Sequence, residues 1–227
     1  MGVPAPRVYR VSRGPGAYAD TGAFVCFEGG EGSGKSTQSG RLATWLESEG
    51  YSVVLTFEPG DTEVGRQLRT IVLSPETGAI SDRTEALLYA ADKSEHVDTV
   101  VQPALDRGAV VVTDRYVDSM LAYQGAGRAL DPDEVEDVAR WATHDLRPHL
   151  TVVLDLEPEH GLGRFAERDR IEQESLEFHQ RVREGFLQMA KADPDHYLVL
   201  DARGDVDDIE QQVRAAVVPL LARAVRR

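Results

Sequence analysis

The run Phe27-Glu28-Gly29-Gly30-Glu31-Gly32-Ser33-Gly34-Lys35-Ser36-Thr37 fits the spacing G-x-x-x-x-G-K-[ST], with Gly29, Gly34, Lys35 and Ser36 at the fixed positions. Glycines let successive backbone N–H groups turn inward and approach phosphate oxygens. A helix opening near Lys35 adds the positive end of its dipole. A lysine at this spacing reaches the terminal phosphates, and a serine after it suits magnesium. Gly29, Gly30, Glu31, Gly32, Ser33, Gly34, Lys35, Ser36 and Thr37 are therefore the expected cradle of a nucleoside triphosphate. A strand-like run, 23–27, precedes them and an amphipathic run, 38–50, follows.

A second group, Thr113-Asp114-Arg115-Tyr116, closes an apolar run. An acid ending a strand beside a phosphate loop orders magnesium or its waters, so Asp114 joins Ser36 as an expected metal residue. Arg115 would enter the same crevice, where its planar fork suits a phosphate monoester. On these four residues alone, an Asp-Arg pair capping a helix stays open as the other reading.

The elements that must position these groups follow from the alternation of short β-branched runs with longer helical ones. The expected strands are 23–28, 51–57, 109–114, 150–156 and 197–201; the expected helices are 35–49, 63–73, 82–107, 131–142, 158–167, 173–191 and 206–222. Strand then helix, repeated, predicts a parallel sheet covered on both faces. One domain, 23–227, is expected after a flexible leader, 1–22, that holds Pro4, Pro6, Gly14, Pro15 and Gly16. In such sheets ligands collect beyond the carboxyl ends of the strands, where Glu28, Glu58, Asp114 and Asp155 fall.

The formal net charge of −14 argues against a general nucleic-acid binder. It leaves room for a small phosphorylated substrate, which arginines and a metal ion can hold within the screening length. No apolar run approaches the roughly 18 residues of a membrane span, and the leader lacks the apolar segment of a secretory signal. A cytoplasmic location with no membrane partner is the expectation. The single cysteine, Cys26, falls in the first strand and reads as a small buried apolar residue. Asparagine is absent from the chain, which removes the Asn-Lys-x-Asp guanine-reading motif of a regulatory GTPase.

The block Asp114-Arg115-Tyr116-Val117-Asp118-Ser119-Met120-Leu121-Ala122-Tyr123-Gln124-Gly125-Ala126-Gly127-Arg128, with the loop carrying Glu31, strongly resembles thymidylate kinase. Glu58-Pro59-Gly60 with Thr62, Leu87 to Lys93, Leu150-Thr151 with Leu154-Asp155, and Asp169-Arg170-Ile171-Glu172 match in the family's order, over about residues 22 to 203. The resemblance implies a P-loop NTPase-type, three-layer α/β/α fold with a central five-stranded parallel sheet and a short lid at about 161–172. It implies transfer of the γ-phosphoryl group of Mg·ATP to dTMP, giving dTDP and ADP, by a homodimer packed through helices beside the sheet. By the same resemblance Glu31 meets the 3′-hydroxyl and the Mg2+ shell, Arg115 holds the monophosphate, and Tyr123 packs on the sugar and crowds out a 2′-hydroxyl. Ser119 and Gln124 lie near base and sugar, Glu58 belongs to the acceptor side, and Tyr89 stands where a phenylalanine usually stacks on thymine.

Three positions depart from the family pattern. Lys93 stands where many members have arginine, Phe57 where they have arginine, and Asp61 where they have glycine. Lysine still donates to a carbonyl but lacks the two-pronged geometry, and either Arg69 or Lys93 is expected at the acceptor phosphate. In one branch of the family an arginine follows the acid inside the loop; here that position is Gly32. The cation that stabilises the migrating group must then come from Arg164, Arg168 or Arg170. Arg164 and Arg168, four apart, are expected on one helical face, with Gly161 and Gly163 as a hinge; a solvated charged helix is the other reading. The expected catalytic set is Lys35, Arg115, Arg168 and Glu31, with Arg164 on the nucleotide.

Six scattered histidines show no Cys/His cluster, and an ionised phosphate acceptor needs no general base, so structural or surface roles are expected. Two other functions remain open: a kinase of dUMP or of a modified deoxynucleotide, and a nucleotide-dependent switch.

Overall fold

The computed structural model describes residues 16–164 and 168–226. Strand β1 (Ala23–Glu28), buried along its whole length, is the centre of a five-stranded parallel sheet. It lies between β3 (Val110–Asp114) and β4 (Leu150–Asp155), with β2 (Val53–Phe57) and β5 (Tyr197–Asp201) at the edges, in the order β2-β3-β1-β4-β5. Asp114 stands opposite both Phe27 and Phe57, so β1, β2 and β3 end level. That register brings Glu28, Glu58, Asp114 and Arg115 to one rim.

The two-residue period of the strands sorts β1 between two cores. Ala23, Val25 and Phe27 pack with Leu42 and Leu46 of α1 (Lys35–Ser48) and with Ile209 and Val213 of α9 (Val206–Val217). Phe24 and Cys26 face the opposite layer. There lie α2 (Glu63–Leu73), α3 (Asp82–His96), its continuation α4 (Gln102–Asp106), α5 (Val117–Met120), α6 (Pro132–Ala142) and α8 (Leu176–Ala192). The fold is the expected three-layer α/β/α arrangement, with a further short helix, α7 (Pro158–Leu162), after β4.

Several boundaries move, each for a local reason. The strand expected from 51 starts at Val53, because Tyr51 makes an isolated antiparallel bridge to Arg226. The helix expected over 82–107 is interrupted by a π turn, Val97–Val101, ahead of Pro103. The one expected from 173 starts at Leu176, since the Ser175 hydroxyl caps it by accepting from the Phe178 N–H. The last helix gives way at Val218 to a 3-10 turn. The helix expected over 158–167 ends at Leu162, and its positions 165–167 lie outside the described residues. Arg164 and Arg168 therefore do not share a helical face. The stretch Val117–Met120, continuing as a π coil over Leu121–Gly127, is helical although no helix is expected there.

The leader boundary also moves. Ala17 N–H donates to Asp145 O, Arg147 N–H donates to Ala17 O, and the Tyr18 ring stacks on His196 at 4.8 Å. Residues 16–22 thus belong to the folded body; positions 1–15 of the expected leader lie outside the described residues.

Candidate active site

The phosphate loop is shaped by its own bonds and by a neighbouring backbone. Gly34, with φ 93°, opens α1, and the Lys35 ammonium turns back to donate to Gly30 O at 2.8 Å and to Ser33 Oγ at 3.4 Å. Burial, reinforced by the nearby Arg115 charge, lowers the Lys35 pKa to about 8. Ser36 Oγ donates to Asp114 Oδ2 at 2.5 Å. Gly32 has φ 66°, and a Cβ there would lie 2.6 Å from Gly161 O. A Cβ on Gly161 would lie 2.0 Å from Glu31 O. Each glycine allows the close approach of α7 to the loop, which gives Gly161 a packing role at the position where a hinge is expected.

Arg115 sits just past β3 in the left-handed region, with φ 72°. This bend aims its side chain at the phosphate loop. Arg115 Nη2 donates to Glu31 Oε1 at 2.8 Å, and Nη1 donates to Gly29 O at 3.2 Å and Ser119 Oγ at 3.1 Å. Its guanidinium lies 5.1 Å from the centre of the Tyr123 ring, whose hydroxyl donates to Glu31 Oε1 at 2.6 Å. Burial alone would raise the Glu31 pKa; Arg115, Lys35 and Tyr123 outweigh it and bring it to about 2. Glu31 is therefore an anion throughout the working pH range.

Below this trio lies Glu28, fully buried, whose importance the sequence reading registers only as an acid at a strand end. Its carboxylate accepts the backbone N–H groups of Tyr116 and Ser119, at 2.9 and 3.0 Å, and the Ser119 hydroxyl at 2.6 Å. It thereby caps α5 from another element and fixes the turn that carries Arg115. Burial, then the Asp118 charge, raises its pKa to about 7. The folded state thus holds the proton more tightly than the unfolded chain, and stability from this group is lost as pH rises through about 7. Glu28→Gln, which keeps the shape without the charge, should remove that part of the pH dependence. Melting curves between pH 5 and 8 check this; identical slopes for both proteins would remove Glu28 from the account.

The acceptor side contains a second buried network. Lys93 Nζ donates to Glu58 Oε2 at 2.6 Å, and His96 Nδ1 shares a hydrogen bond with Glu58 Oε1 at 2.7 Å. His96 Nε2 meets Thr56 Oγ1 at 2.6 Å, and that hydroxyl donates to Asp61 Oδ2 at 2.5 Å. Burial raises the Glu58 pKa, but Lys93 and His96 outweigh it, so it falls below the ordinary value. Glu58 and Lys93 thus neutralise each other, and Asp61 meets a hydroxyl. Arg69 Nη1 donates to Pro59 O at 2.7 Å, with its guanidinium 5.8 Å from the Phe57 ring centre. His96 is the residue here that the sequence reading passes over, because only its three-dimensional partners distinguish it from five other histidines.

One crevice of about 840 Å³ is lined by Lys35, Glu31, Arg115 and Tyr123 and by Glu58, Lys93, Asp61 and Arg69, while Glu28 and His96 stay buried behind its wall. Glu31 to Thr37 and Asp114 line it at the loop; Tyr89, Lys93, Ser119, Tyr123 and Gln124 line the acceptor region. Gly29 and Gly30 contribute carbonyls to Arg115 and Lys35. Asp155, at the end of β4, turns away to a two-pronged pair with Arg183. Of the lid arginines, Arg164 lines the crevice and its Nη1 donates to Gly32 O at 2.6 Å. Arg168 Nη2 donates instead to Leu162 O at 3.2 Å, and Arg170 is bound to Val72 O and Glu85. The structure therefore puts Arg164, expected on the nucleotide, at the phosphate loop, while Arg168, expected as the catalytic cation, is turned to Leu162 O.

A family model described as thymidylate kinase matches residues 27–213. The chain belongs to the thymidylate kinase family. It is 55% identical over 202 residues to the thymidylate kinase of Cutibacterium acnes, covering 89% of this chain and 99% of that protein. The thymidylate kinase of Clavibacter michiganensis is 52% identical, with 89% and 97% covered, and that of Symbiobacterium thermophilum 44% identical, with 89% and 96% covered. The matched span of the thymidylate kinase model includes the loop, the Arg115 turn and both faces of the crevice. Among the described residues no helix is long and apolar enough to cross a membrane.

Proposed function

We propose that the crevice binds ATP and dTMP end to end and transfers the γ-phosphoryl group to the acceptor 5′-phosphate, giving dTDP and ADP. The observation that carries this reading is the continuity of the crevice from Lys35 and Ser36 to Arg115, Tyr123 and Gln124. Lys35 exchanges its bonds to Gly30 and Ser33 for the β- and γ-phosphates. Arg115 takes the acceptor phosphate, Glu31 the 3′-hydroxyl, and Tyr123 the sugar face, while Tyr89 stacks on the base. Arg164, already at Gly32, supplies the donor-side cation. The migrating phosphoryl group carries negative charge on its equatorial oxygens, so these fixed cations lower the barrier without a general base.

Ser36 and Asp114 present a hydroxyl and a carboxylate at bonding distance, oxygen donors that fit a hard divalent cation. Ser36 and Asp114 would hold Mg2+, which would supply charge neutralisation to the nucleotide's phosphates. The same reading includes a homodimer in the cytoplasm. It is supported by exposed apolar side chains on three neighbouring helices: Val64 and Ile71 on α2, Leu87 on α3 and Trp141 on α6.

An ADP-release assay across dTMP, dUMP, dCMP and dGMP tests the assignment. Turnover should be greatest with dTMP. Preference for dUMP would assign the sister activity, and slow turnover indifferent to the panel would leave a switch protein.

A further inference from the structure

Glu85, in the first turn of α3, is fully buried. Its carboxylate gathers donors from separate segments. Gln124 Nε2 donates to Oε1 at 2.9 Å; Arg128 donates through Nε to Oε1 and through Nη2 to Oε2, each at 3.0 Å; Arg170 Nη2 donates to Oε2. Arg128 Nη1 also reaches Glu174 Oε1 at 2.5 Å, so two carboxylates balance two guanidinium groups. Burial opposes the Glu85 charge, but the bonds from Arg128, Gln124 and Arg170 prevail and lower its pKa.

This arrangement dictates which half of the Gln124 amide faces the ligand. A carboxylate only accepts hydrogen bonds, so Gln124 must turn its NH2 toward Glu85. The amide oxygen is left for the crevice that Gln124 lines, and among the described residues no donor meets it. The Arg170 anchor acts on the same wall. Its backbone N–H donates to Leu73 O, and its Nε donates to Val72 O at 2.8 Å. The adjoining Asp169, Ile171 and Glu172 line the crevice in a tight turn, in which Asp169 Oδ1 accepts the N–H groups of Ile171 and Glu172.

We propose that Glu85 is a specificity-determining positioning residue: it fixes Gln124 as a hydrogen-bond acceptor and, through Arg170, anchors the turn beside it. This rests on reading the crevice as a nucleotide acceptor site. An amide oxygen suits a ring N–H, as in a 2,4-dioxopyrimidine, and repels the bare ring nitrogen of a 4-aminopyrimidine. Glu85 thus selects between the two base types without touching either.

Glu85→Gln tests this, because a glutamine at 85 can accept or donate and frees Gln124 to flip. The dTMP kcat/KM should fall about tenfold, mainly through KM, and the dTMP-to-dCMP ratio should narrow by about tenfold or more. The double variant Glu85→Gln/Arg170→Gln removes one buried charge of each sign, which favours folding, and should show the same narrowed ratio. A folded variant with a shifted melting midpoint but wild-type KM and ratio would make Glu85 merely structural and overturn the proposal. Wild-type enzyme that ignores dTMP altogether would overturn the acceptor-site reading itself, and this proposal with it.

Discussion

Lys35→Ala should lower kcat by about a thousandfold while leaving the melting midpoint near or above that of the wild-type protein. Two effects make that combination. The ammonium is buried, and burial with the Arg115 charge brings its pKa down to about 8. A base with a lowered pKa is charged less readily in the folded protein than in the unfolded chain. At pH 7 the ammonium therefore subtracts from stability, and its removal relieves that cost. Its bonds to Gly30 O and Ser33 Oγ are local to the loop and offset only part of it. A group that destabilises the fold and still points into the crevice earns its place in the reaction. Single-turnover kinetics with ATP and dTMP, alongside thermal unfolding, check both halves. Turnover within tenfold of wild type would withdraw Lys35 from the transition state.

Much of this fold is legible in the sequence because buried parallel strands admit little else. Val110-Val111-Val112 and Val152-Val153-Leu154 have no polar face, and every one of those residues is buried. The missed helix, 117–127, shows where the pattern fails. Gly127 breaks any helical signal there, yet it is small because α8 crosses close by: a Cβ on it would lie 2.6 Å from the Phe178 ring. Packing between elements remote in sequence chose that residue, and no local period reports it.

The site divides in the same way. The loop and Arg115 are visible because fixed spacing serves a fixed ligand shape. The supports behind them are not. Glu28, Glu85 and His96 act through partners distant in the chain, such as Glu28 with Ser119 and Glu85 with Arg170, and an isolated acid or imidazole carries no mark of its partner. A spacing of four puts Arg164 and Arg168 on one helical face in the sequence, but α7 ends at Leu162 and separates them.

Arg115→Ala should raise the KM for dTMP by about thirtyfold to a few thousandfold, with the KM for ATP changed far less. Truncating one member of a hydrogen-bonded buried charge pair costs about 2–5 kcal/mol, and each 1.4 kcal/mol is tenfold. The loss has two sources. The first is the guanidinium fork itself, which lysine cannot replace, so Arg115→Lys should recover only part of the affinity. The second is Glu31, left with the Tyr123 hydroxyl and the Lys35 charge to oppose its burial. Its pKa should rise from about 2, and the variant should acquire an acid limb in its pH–rate profile that the wild-type enzyme lacks above pH 5. The sign agrees with linkage: a carboxylate with a lowered pKa adds stability above its unfolded value, and that stability is lost as pH falls toward about 2. Removing Arg115 forfeits part of it at neutral pH. Alanine brings no backbone relief, because its Cβ meets the same left-handed φ of 72° at this position. Steady-state kinetics in both substrates between pH 5 and 8 read all of these together. An unchanged KM for dTMP would move the acceptor phosphate away from Arg115, toward Arg69 at the other side of the Glu58 network.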